Sequence, residues 1–138
     1  MENENTTIEV SEEIIKSKIY IVRGQKVMLD FDLAELYGYE TRSFNQQVKR
    51  NIEKFPDDFM FQLTKDGLGK IMMSQFVISS WGGIRKLPYA FTEQGIYMLM
   101  TILKGELATK QSIAIIRLFK AMKDLMPLFF YSLKKVAY

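Results

Sequence analysis

An α+β fold, with small β-hairpins packed on a helix-turn-helix-like pair and C-terminal helices, follows from three features of this 138-residue sequence. Two stretches, Ile14–Leu29 and Gln75–Phe91, are rich in β-branched and aromatic residues and are each broken by a glycine turn, as hairpins are. Between them, Asp30–Phe61 joins a short apolar helix, a glycine turn and a longer polar, basic helix. From Thr92 onward, apolar residues recur at helical spacing.

Composition narrows the function before any motif does. Apolar residues make up 48% and charged residues 25%, which suits one ordinary globular core. The net charge is only +3, but Glu2, Glu4, Glu9, Glu12 and Glu13 crowd the first thirteen residues, which contain no base. The remaining 125 residues hold all 19 basic groups against 11 acids, a balance of +8 that favours a polyanionic partner. Cysteine and histidine are both absent, so thiolate or imidazole metal ligation and the commonest general base are excluded; no metal, no cofactor and no enzymatic activity are expected. No apolar run approaches the roughly 18 residues of a membrane span, and the acidic start is unlike a secretory signal, so a cytoplasmic location is expected.

Taken in order, residues 1–13 read as a flexible acidic arm, 14–107 as the folded domain, and 108–138 as a C-terminal helix and apolar tail suited to self-association. In the first hairpin, Ile19–Val22 and Lys26–Leu29 are the strands and Arg23–Gln25 the turn. Leu33, Ala34 and Leu36 then give a short helix its apolar side, and Gly38 ends it. Thr41 is the expected cap of the second helix, which runs from Arg42 to about Lys54. On it Phe44, Val48 and Ile52 recur every fourth residue, drifting across only about 80° at 100° per residue, and so form one buried stripe. The opposite side carries Arg42, Gln46, Lys49 and Arg50, with Glu53 its only acid.

Phe59, Phe61 and Leu63 alternate with Met60 and Gln62, which predicts a strand with three large side chains on its core side. Asp57 and Asp58 suit a turn. Thr64 caps a short helix over Lys65–Ser74, weakened by Gly67 and Gly69. The second ribbon turns at Trp81-Gly82-Gly83 and carries Arg85 and Lys86, a basic wing beside the helical pair. Thr92 caps a helix whose apolar face is Ile96, Leu99, Met100 and Leu103 and whose end is Gly105. The last helix, Ala108 to Met126, is apolar over more than half its circumference. That surplus predicts a homodimer contact through this helix, with the tail folding back on its own chain as the alternative.

The runs DLAELYG (Asp32 to Gly38), FNQQVKRN (Phe44 to Asn51), KFPDDFMFQLT (Lys54 to Thr64), SSWGG (Ser79 to Gly83) and LPYAFTEQG (Leu87 to Gly95) resemble the ORF-six N-terminal domain family, relatives of the KilA-N and BRO-N domains of phages, large DNA viruses and bacterial genomes. The resemblance implies a DNA-binding module of phage-type regulatory, antirepressor-like proteins. Combined with the residue pattern, it places Arg42, Asn45 and Gln46 at base edges of double-stranded DNA and Lys49 and Arg50 on phosphates. Arg23, Lys26, Arg85 and Lys86 would add backbone contacts from the two ribbons. A protein-interaction module that captures a repressor or host factor through the apolar C-terminal helix is the alternative.

Overall fold

A computed structural model of the chain describes residues 12–75 and 86–125. The first hairpin is shorter than its sequence suggests, because residues 12–17 form a helix, α1, that drives Ile15 fully into the core. Strands β1 (Tyr20–Val22) and β2 (Gln25–Leu29) follow, paired antiparallel with Val22 opposite Gln25. Their two-residue turn puts both Arg23 (φ 53°) and Gly24 (φ 73°) in the left-handed region, the turn geometry that matches the twist of paired strands.

Helices α2 (Asp30–Leu36) and α3 (Thr41–Arg50) come next, then a 3-10 turn (Ile52–Lys54), β3 (Met60–Gln62), α4 (Lys65–Gln75), β4 (Tyr89–Thr92), α5 (Glu93–Leu99) and α6 (Glu106–Leu125). The four strands make one antiparallel sheet in the order β1-β2-β4-β3. The expected wing is revised at its two ends, its residues 76–85 lying outside the described residues. Gln75 closes a helix instead of opening a strand, and the returning strand is an inner member of the sheet, bonded to β2 and β3 on its two sides. The turn with Trp81 and Arg85, and the apolar tail after Leu125, lie outside the described residues.

Because side chains alternate along a strand, the sheet divides the core in two. Met28 and Phe91 point toward α2, α3, α5 and α6, packing with Leu33, Phe44, Ile96, Ile115 and Phe119. Val27, Leu29 and Ala90 point the other way, to Leu63 and to Ile71 of α4. Strand β3 is covered on both faces, Met60 by the first cluster and Phe61 by the second, so the expected single core face of that strand is wrong.

The caps at Thr64 and Thr92 hold as expected. Gly67 N–H donates to Thr64 Oγ1 at 3.0 Å, and Gly95 N–H donates to Thr92 Oγ1 at 3.3 Å. Thr92 also ties α5 to the β3 approach, its hydroxyl donating to Asp58 O at 2.8 Å and its N–H to Phe59 O at 3.0 Å. That closeness needs a residue without a side chain: a Cβ on Gly95 would stand 1.9 Å from Phe59 O.

Helix α6 docks on the end of α2, where Gln111 donates to Leu36 O at 2.9 Å and the Tyr37 and Ser112 hydroxyls share a 2.8 Å bond. At its far end Lys123 pairs with Glu93 at 2.7 Å. Its remaining apolar surface, Leu107, Ile113 and Ile116, is exposed. No helix among the described residues is long and apolar enough to cross a membrane.

Candidate nucleic-acid interface

The α2–turn–α3 unit is built as the sequence pattern requires. Leu33, Ala34 and Leu36 are buried, and at the end of α2 Gly38 takes φ 74° while Tyr39 N–H donates back to Ala34 O at 2.8 Å. A side chain at Gly38 would be strained and would also meet Leu107 Cδ2 at 2.9 Å. The cap of α3 differs from expectation. Glu40 holds that position without a side-chain bond, and Thr41 is already helical.

Two of the three stripe residues anchor α3. Phe44 and Val48 are buried, and the Phe44 ring meets Phe91 edge-on with centroids 5.8 Å apart. Ile52 does not join them. The helix breaks at Asn51 (φ −121°, ψ 33°), whose amide donates to Gln47 O at 2.9 Å, and the following 3-10 turn swings Ile52 to the surface with 53% of its area exposed. Phe55 takes the core place instead, 4% exposed and edge-on to Phe91.

Arg42, Gln46, Lys49 and Arg50 are all exposed, on the side of α3 away from Phe44 and Val48. Arg42, Gln46 and Lys49 line a long open groove whose other wall is β3 and the chain entering β4, with Gln62, Lys86, Leu87, Pro88 and Tyr89. The groove is open to solvent and holds about 1630 Å³. Among its described lining residues three are cations, Arg42, Lys49 and Lys86, against one acid, Asp30. Among the described residues none of Arg42, Lys49, Arg50 and Lys86 is held in an ion pair, so their charge faces outward.

Asp30 is only 4% exposed and belongs to the scaffold. Its carboxylate accepts from Asn45 Nδ2 at 3.0 Å, from Phe31 N–H at 2.7 Å and from the backbone of Tyr89, so one side chain joins α2, α3 and β4. Burial pushes its pKa up, and those three hydrogen bonds oppose the shift. Asn45 also lines the groove, but it is half-buried and its amide donates to Asp30, which ties α3 to α2.

The hairpin cations are dispersed. Arg23 lies on the opposite face of the sheet, its guanidinium 4.2 Å from the Phe61 ring centroid in a smaller groove bordered by α4. Lys26 is half-buried beside α6, with Nζ 5.9 Å from the Phe119 centroid. Of the nine candidate residues, the structure gathers Arg42, Asn45, Gln46, Lys49 and Lys86 in one groove. Arg50 is exposed nearby on α3, Arg23 and Lys26 stand apart, and Arg85 lies outside the described residues. Asp30 and the Leu87–Tyr89 wall were missed, because only the pairing of β4 with β3 brings that wall opposite α3.

The family model described as the ORF6N domain matches residues 17–102, from the end of α1 past α5, and stops short of α6. No curated protein and no solved structure matches the chain.

Proposed function

The chain belongs to the ORF6N domain family, and we propose that it acts as the double-stranded DNA-binding module of a phage-type regulatory protein of the antirepressor kind. The observation that carries this reading is the exposed side of α3, where Arg42, Gln46, Lys49 and Arg50 stand together above a buried anchor of Phe44 and Val48. A helix about 10–12 Å across fits a major groove about 12 Å wide. Arg42 and Gln46, one turn apart near its start, meet base edges; Lys49, Arg50 and, across the groove, Lys86 meet phosphates.

A second reading is favoured by the exposed Leu107, Ile113 and Ile116 on α6: a surface for a second copy of the chain or for a repressor or host protein. One experiment separates the two. Lys49→Ala lowers affinity for every duplex and reduces the salt slope by about one. Gln46→Ala instead alters preference among sequences. A folded Lys49→Ala/Arg50→Ala protein that binds duplex as tightly as wild type removes the α3 interface and leaves α6 as the working surface.

A further inference from the structure

Ile52 is placed where an isoleucine is not expected. Helical periodicity assigns it to the buried stripe, yet the break at Asn51 carries it to the groove edge, 53% exposed beside Val48 and Lys49. The core does not need it, since Phe55 fills the site beneath. An exposed branched side chain among cations gains nothing from water. It gains when an apolar group of whatever the cations bind covers it.

Resting on the proposal that α3 enters the major groove, we infer that Ile52 is a specificity-determining residue that reads the C5-methyl group of thymine. The major groove presents four base-edge patterns, and the thymine methyl is the apolar group in that code. Gln46, Lys49 and Ile52 all line this groove, so the isoleucine faces the same duplex as the amide and the ammonium. Polar contacts by Arg42 and Gln46 set hydrogen-bond preference, and Ile52 adds a preference for A·T pairs at the end of the site nearest the 3-10 turn. Because the side chain is exposed and outside the core, shortening it leaves the fold in place.

The test uses the full chain. Duplexes are enriched from a random pool at low salt, and the tightest is resynthesised with deoxyuridine for each thymidine, which removes only the methyl groups. Wild type is expected to lose about fourfold in affinity per methyl contacted, the equivalent of burying one such group. Ile52→Ala, with an unchanged circular dichroism spectrum, is expected to bind the thymidine and deoxyuridine duplexes equally, and Ile52→Val to fall between. Equal binding of both duplexes by wild type, or a full thymidine preference kept by Ile52→Ala, overturns the role of Ile52 while leaving duplex binding itself intact. Failure to enrich any duplex overturns the α3 reading and this inference together.

Discussion

Asp32 shows how a single carboxylate ties this fold to pH. It lies in the first turn of α2, where the helix dipole favours negative charge, but it is buried. One oxygen meets Lys18 Nζ at 3.4 Å; the other is buried with no hydrogen-bond partner among the described residues. Burial outweighs the lysine and, with smaller repulsions from Glu35 and Asp30, pushes its pKa up to about 6; Tyr20 is raised chiefly by its own burial and to a lesser extent by the Asp32 charge. An acid whose pKa is raised by folding binds its proton more tightly in the folded state. Its contribution to stability is therefore greatest below the unfolded value of about 3.9 and is lost as pH rises through that value to about 6. Asp32→Asn removes the titration. Urea unfolding of both proteins is expected to show the variant gaining on wild type between about pH 4 and about pH 7. A stability difference that stays flat across that range would mean that Lys18 fully offsets burial. Asn45 teaches the complementary lesson at the same scale: the sequence assigns its amide to base edges, and only the fold reveals that Asp30 holds it.

At the scale of elements, what was legible is what depends on near neighbours. The caps at Thr64 and Thr92, the stop at Gly38 and the opposed apolar and basic sides of α3 all rest on spacings of three or four residues, and all were readable. What escaped depends on distant partners. Residues 12–17 are helical because Ile15 finds the core, and β4 lies inside the sheet because β2 and β3, distant in sequence, flank it. The contact between α5 and the β3 approach is of the same kind, and it can be tested. Gly95→Ala places a methyl against the backbone carbonyl of Phe59, where no rotamer change relieves it. A loss of about 1–3 kcal/mol in denaturant unfolding is expected. A neutral substitution would mean that α5 can slide away from Phe59 without cost.

For the whole molecule, the sheet acts as a partition. It sends α3 and its groove to one side and Arg23 with α4 to the other, so the +8 excess outside the acidic arm is spread over more than one surface. Helix α6 lies beyond the family match yet supplies Ile115 and Phe119 to the same core as α3, which gives the contact helix a rigid backing. The central claim is that the outward side of α3 meets DNA phosphates, and the most direct measurement is a salt titration of duplex binding by wild type and by Lys49→Ala/Arg50→Ala. With Lys49, Arg50 and Lys86 on phosphates, log affinity is expected to fall with log salt at a slope of about 3, reduced by about two in the double variant. Binding that is absent at low salt, or a slope that the two substitutions leave unchanged, would contradict the account.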